Sequence, residues 1–274
     1  MEQSLESLSN AAPPISADHP LVALDWPGQK LSSLMELSTR GNGTDIILPL
    51  TPVQEGILFQ QRRNGFSDGL YNQQVSLTVE GIMDEYGLTR AFQRLLERHE
   101  ALRTCFADDA DGYQVQLVKE KAILPIKWID LPEDEADAKS KWAAVISDDE
   151  CIPFDEYRAP LSRLTVGRQG KRWHLLWSHH HAILDGWSLP ILLNELELPE
   201  EEWVQLTPPV TRAPFWKWLA AQRHPGRQRA RSDAWRQRFA GMDQATLVGA
   251  QLGQRNETTK NTRHKSHVNK DVYH

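Results

Sequence analysis

The sequence predicts an α/β fold, a mixed sheet with flanking helices, on three observations. Tyr71 to Glu80 alternates apolar Val75, Leu77 and Val79 with Ser76, Thr78 and Glu80, the period of a half-buried strand. Leu88, Phe92, Leu95, Leu96, His99 and Leu102 fall on one stripe at helical spacing. Arg172 to Ser178 is a short aromatic and Leu-rich run without Pro or Gly, preceded by the turn signal Arg168-Gln-Gly-Lys171, and reads as a strand. A chain of 274 residues has the length for one or two domains with a sizeable core.

The elements follow in order. Residues 1–44 are rich in Ser, Pro, Asn and Gly and read as a linker. Thr51 to Arg62 reads as a helix, with Pro52 in its first turn and Val53, Ile57 and Leu58 at helical spacing. The strand Tyr71 to Glu80 comes next, then the long helix from Gly87 to Leu102. Asp111-Gly112 is a hairpin signal ahead of a strand at Tyr113 to Val118. A helix around Glu135 to Ile146 follows the acidic run Pro132-Glu-Asp-Glu-Ala-Asp137, whose carboxylates suit a first turn. The run Pro199-Glu-Glu-Glu202 is read the same way. Leu161 to Val166 and the run at 172–178 are strands, and Leu189 to Leu196 is a helix. Arg227 to Arg238 is a basic helix with Ala234, Trp235 and Phe239 on its apolar side, read as a solvated face.

The chemistry lies where the strand at 172–178 ends. His180, His181, Asp185 and Gly186 form the pattern His-His-x-x-x-Asp-Gly at one bend. A histidine there titrates near neutral pH and serves as a base or a hydrogen-bond partner. A carboxylate four residues on fixes the bend by pairing with an arginine or with backbone N–H groups, and the glycine admits close approach of backbone or ligand. A metal site at His179, His180 and His181 is not expected. Adjacent strand residues point to opposite faces, and no cysteine or second carboxylate stands at ligand spacing.

His180-His181-x-x-x-Asp185-Gly186 resembles the active-site signature of nonribosomal peptide synthetase condensation domains, relatives of chloramphenicol acetyltransferase. Four further segments stand in the family's order. Leu48-Pro-Leu-Thr-Pro-Val-Gln-Glu-Gly-Ile-Leu-Phe59 is similar to the opening motif, and Arg98-His-Glu-Ala-Leu-Arg-Thr-Cys-Phe106 matches the second at every fixed position. Pro153-Phe-Asp155 with Pro160-Leu-Ser-Arg163 resembles the approach to the histidine strand. Phe215-Trp-Lys-Trp218 fits the fourth motif at Phe215 and Trp218 only, since Arg212 and Pro214 replace its leading Tyr and its Asp. The resemblance covers residues 45–247 and weakens towards the end.

The resemblance implies a chloramphenicol acetyltransferase-like first lobe at residues 45–200 and a crossing segment at 201–247. The later motifs of a second lobe have no counterpart. From Gln251 onward the chain has few apolar residues, and residues 248–274 are expected to be a disordered or out-of-frame tail. A fragment, a truncated product and half of a split enzyme all fit. The implied reaction joins an acyl or peptidyl thioester on one carrier protein to the amine of an aminoacyl thioester on another. Each is tethered by phosphopantetheine, with no cofactor or metal bound by the domain itself. His181 is implied as base or positioner. Asp185 is implied to hold the bend through Arg103 or Arg98, with Arg163 third. His180 is expected to pack within the sheet, Gly186 to line the path of the pantetheine arm, and Trp218 to support the site. An adenylation domain or a separately encoded second lobe are further implied partners. Competing readings are an epimerisation or acyltransferase relative, and a noncatalytic docking module or inactive remnant.

Composition narrows the class. A formal net charge of −6 offers no global basic field for nucleic acid or an anionic membrane. No run approaches the roughly 18 apolar residues of a membrane span. The two cysteines, Cys105 and Cys151, make no disulfide framework, and the acidic amino terminus lacks the apolar segment of a secretory signal. A cytoplasmic location is expected, with Cys105 a small buried residue and not a nucleophile. Apolar surface left for a second lobe predicts self-association.

Overall fold

The computed structural model describes residues 46–63, 69–81, 84–108, 112, 114–206, 215, 218, 221–222 and 225–242. The proposed linker, the tail and Asp111 lie outside them, as does most of the crossing segment. Two compact units divide the chain, residues 1–227 and 228–274.

In the first unit the order is β1 (Ile46–Pro49), α1 (Pro52–Arg63), β2 (Asn72–Glu80), α2 (Glu85–Arg98), a 3-10 turn (Glu100–Arg103), β3 (Thr104–Asp108) and β4 (Gln114–Val118). It continues with β5 (Ile126–Asp130), α3 (Glu135–Glu150), β6 (Ser162–Gln169), β7 (Arg172–His180), α4 (Ser188–Leu196) and α5 (Glu200–Gln205). Helix α6 (Pro225–Arg238) begins at the end of this unit and runs into the next.

The strands form two sheets, β1-β4-β3 and β2-β7-β6-β5. In the larger sheet β7 is central, antiparallel to β2 and to β6, while β5 joins the other edge parallel to β6. Alternation along β7 serves both faces. Leu175 and Trp177 join the main core, where Phe92 of α2 meets the Trp177 indole edge-on at 5.3 Å. Leu176 packs with Ala138 and Trp142 of α3 in a separate cluster. Gly167 lets α3 approach, because a Cβ there would stand 3.0 Å from the Trp142 ring. Gly112, in the connection between β3 and β4, has φ 79°, a left-handed conformation that glycine adopts without steric cost.

Helix α2 opens at Asp84, whose carboxylate accepts from the N–H groups of Tyr86 and Gly87. It ends sooner than its apolar stripe predicts. His99 is extended (φ −103°, ψ 107°), so Leu102 belongs to the 3-10 turn and still reaches full burial. Asp134 caps α3 in the same way as Asp84 caps α2, as the acidic run at 132–137 predicts. Trp235 of α6 and Phe239 just beyond it are exposed and stack at 5.4 Å.

Candidate active site

The bend is built by strand pairing carried one residue beyond β7. The His180 N–H donates to the Leu161 carbonyl (2.9 Å) and the His181 N–H to that of Tyr71 (2.9 Å), so both neighbouring strands guide the chain to the turn. The turn closes when the Ile183 N–H donates to the His180 carbonyl at 3.1 Å.

The three consecutive histidines occupy different environments. His180 is 1 % exposed, lies among Tyr71 and Phe154, and uses both ring nitrogens. Its Nδ1 accepts from the Ala182 N–H at 3.2 Å, so its proton sits on Nε2 and donates to Gln61 Oε1 at 2.7 Å. Burial, and then the neighbouring His181, push its pKa down to about 4. His179 is equally buried and is pushed to about 4 by burial and by the two other rings. His181 is half-buried, and its Nδ1 lies 3.0 Å from the Leu184 carbonyl. A carbonyl only accepts, so Nδ1 carries a proton, and in the neutral ring Nε2 is the nitrogen with the lone pair. Of the three rings, His181 is therefore the one with the exposure and the tautomer to receive a proton from a ligand.

Asp185 pairs with none of Arg98, Arg103 and Arg163, the described arginines expected to hold it. Its Oδ1 accepts from the Ser188 N–H (2.9 Å) and the Ser188 hydroxyl (2.7 Å), closing the turn that leads into α4. Those bonds, the Ser188 hydroxyl foremost, hold its pKa below the usual carboxylate range. Each arginine expected to hold it is engaged elsewhere. Arg163 donates to Asp149 Oδ1 (2.6 Å) and to the carbonyls of Asp149 and Ile152, and lies over the Phe154 ring at 4.2 Å. Arg98 donates to Glu195 Oε1 (3.2 Å) and the Leu206 carbonyl (2.9 Å). Arg103 donates to the carbonyls of Leu96, Lys119 and Glu120. The physical reason is position: Asp185 is exposed beyond the bend, while these guanidinium groups are half-buried beside carboxylates and carbonyls nearer to them.

Gly186 is exposed, and a Cβ built on it meets nothing within 4 Å. The described fold does not itself demand a glycine there. Trp218 is exposed and stacks on Phe215 at 5.8 Å.

Sequence reasoning missed four residues. Asp149, buried at the end of α3, accepts from Arg163 of β6, from the Ser178 hydroxyl of β7 and from Gln74 of β2 (3.0 Å). Burial alone would raise its pKa, but these hydrogen bonds and the Arg163 charge together lower it. Glu195 of α4 binds both Arg98 and His99, so the second motif straps α4 to α2. Gln54 and Gln61 of α1 reach the bend: Gln54 Nε2 donates to the Ala182 carbonyl at 3.0 Å, and Gln61 meets His180. The available signal was a glutamine on the apolar stripe of α1, seven residues after another within the first motif. Among the described residues no three His, Cys, Asp or Glu side chains are placed to hold a metal ion.

Two sheets, flanking helices and a histidine at the exit of the central strand define a chloramphenicol acetyltransferase-like α/β lobe. The profile described as Condensation domain matches residues 45–273, and the chain belongs to that family, the condensation domains of nonribosomal peptide synthetases. It is 29% identical over 218 residues to gramicidin S synthase 2 of Brevibacillus brevis, covering 77% of this chain and 5% of that protein. The starter condensation domain of rhizomide synthetase RzmA matches with a TM-score of 0.59 at 19% identity, over 71% of this chain and 48% of that one. The first condensation domain of the calcium-dependent antibiotic synthetase, solved with a substrate analogue, matches with a TM-score of 0.59 at 20% identity, over 72% and 48%. The chain thus spans a small part of the synthetases it resembles and about half of the solved condensation-domain chains.

Proposed function

We propose that this lobe supplies the histidine side of a peptide-bond-forming condensation site. The observation that carries the reading is His181, half-buried at the strand exit with Nδ1 bound to the Leu184 carbonyl and the Nε2 lone pair retained. The donor is an acyl or peptidyl thioester and the acceptor an aminoacyl amine, each tethered through phosphopantetheine to a carrier protein. An α-amino group has a pKa near 8, so about a tenth or more is neutral at pH 7 and attacks the thioester carbonyl without prior deprotonation. The nitrogen then becomes strongly acidic. His181 Nε2 accepts that proton, or orients the amine, while the thiolate leaves on the donor arm. Alignment of the two tethered reactants supplies up to about 7 to 11 kcal/mol, and no ATP is needed because the thioester is already activated.

Gly186, where a side chain would narrow the passage, borders the pantetheine path. His180 is the packed, neutral neighbour. Trp218 supports the site, with Arg98, Arg103 and Arg163 holding the elements around it. Adenylation and carrier domains, a complementary second lobe and a cytoplasmic setting belong to the same proposal. A docking module without turnover is the second reading, favoured by Trp187, which is 87 % exposed beside the bend.

The test mixes the full chain with one carrier charged with an acyl thioester and another charged with an aminoacyl thioester. The expected result is an acceptor carrier heavier by the donor acyl group in intact-mass spectrometry. Carriers that bind without that mass gain support the docking reading and overturn the catalytic one.

A further inference from the structure

The histidine bend hangs from α1 at two points, and both are glutamines. Gln54 Oε1 accepts the Thr51 N–H at 2.9 Å while its own N–H meets the Thr51 hydroxyl at 3.2 Å, a reciprocal cap at the start of the helix. That arrangement orients the amide so that Nε2 points away from the cap. Its two protons go to Gln116 Oε1 (3.0 Å) and to the Ala182 carbonyl (3.0 Å), and Gln116 in turn donates to the Pro49 carbonyl at 2.8 Å. Two helical turns on, Gln61 is 4 % exposed and accepts from His180 Nε2. Ala182 is therefore gripped twice: through its carbonyl by Gln54, and through its N–H by His180, whose other ring nitrogen is held by Gln61.

Those two grips define the peptide planes on either side of Ala182, immediately after His181. Gln54, half-buried, has partners for its amide oxygen and both amide protons, and the buried Gln61 has its oxygen on His180, so turning either amide would strand polar atoms. We infer that Gln54 and Gln61 are positioning residues of the histidine bend: they set the two peptides flanking Ala182 and thereby the direction of the His181 ring. The inference rests on the proposed role of His181 for its catalytic meaning, and on hydrogen-bond geometry alone for its structural one.

The test observes the imidazole nitrogens of the ¹⁵N-histidine-labelled full chain at pH 7. In the native chain His180 shows a proton on Nε2 and His181 a proton on Nδ1. Gln61→Met, of similar volume, is expected to abolish the single tautomer of His180, and Gln61→Glu, which keeps an acceptor, to leave Nε2 protonated. Gln54→Met is expected to abolish the single tautomer of His181. If methionine disrupts α1, Gln54→Glu gives the same readout, because it retains the capping acceptor and lacks the amide donor. In single turnover with charged carriers, Gln54→Met is expected to lower kcat about a hundredfold with KM unchanged. Unchanged tautomers of both rings in the two methionine variants overturn the inference. A native chain with these tautomers and no turnover overturns the catalytic reading instead, so the two failures are distinct.

Discussion

Asp149 and Asp185 are the two carboxylates nearest in role to the histidine strand, and they act through different chemistry. Asp149 is buried and receives Arg163, Ser178 and Gln74, drawing α3 onto three strands of the larger sheet. Asp185 is exposed and its carboxylate receives groups of the turn leading into α4, Ser188 foremost, and none of Arg98, Arg103 and Arg163. The arginine pairing expected for the second belongs to the first. The carboxylate that secures the strand is thus separate from the one that shapes the bend, and the site can be altered without unfolding the sheet beneath it.

The largest expected effect is that of Asp149→Ala. It leaves the Arg163 guanidinium in a half-buried site without its counter-charge, and breaking such a pair costs about 3 to 5 kcal/mol. Urea unfolding measures it, and a loss no greater than that of Asp185→Ala would erase the contrast between the two carboxylates. Acid comes next. His179 and His180 are held near pKa 4 when folded, against an ordinary value of 6.5, so the unfolded chain binds more protons between those values. Their contribution is complete above about pH 6.5 and is lost as pH falls towards 4, on the order of 2 kcal/mol per ring by pH 5. Asp149, whose pKa is lowered, loses its contribution only at lower pH still, as pH falls below the ordinary carboxylate value through its own. Denaturation curves at pH 7 and pH 5 that coincide would contradict the buried, neutral state of both rings. The smallest effect is that of Asp185→Ala, about 1 kcal/mol for the lost hydrogen bonds of the turn leading into α4, with Asp185→Asn restoring most of it. A fall in thermal stability as large as that of Asp149→Ala would assign Asp185 a role in the sheet.

Local pattern made the helices α1 to α4 legible from their apolar positions, β2 from its alternation and β7 from an aromatic, Leu-rich run that is buried on both faces. It was silent on β5, an edge strand with exposed Lys127 and Trp128 and no alternation, whose partner β6 lies across α3 in the sequence. The split into two sheets is likewise a matter of long-range pairing that no local pattern encodes. Within the site, the His-His-x-x-x-Asp-Gly spacing exposed the bend, and the first two motifs supplied what holds it. Asp149 lies past Ile146, where the sequence predicts the helix to end, whereas α3 continues to Glu150. A carboxylate at a helix C-terminus opposes the macrodipole, and that local cost is the sign that something else holds it. Gln61 was hidden for a similar reason: its stripe reads as apolar until His180 is placed against it.

The measurement that bears most directly on the central claim is the single-turnover rate of His181→Ala beside the native chain, with thermal unfolding of both. The account predicts a rate about a hundred- to ten-thousand-fold lower and an unchanged melting temperature, because the ring is half-buried and its one described side-chain bond is to the Leu184 carbonyl. An unchanged rate in the folded variant would contradict it, leaving His181 neither base nor positioner.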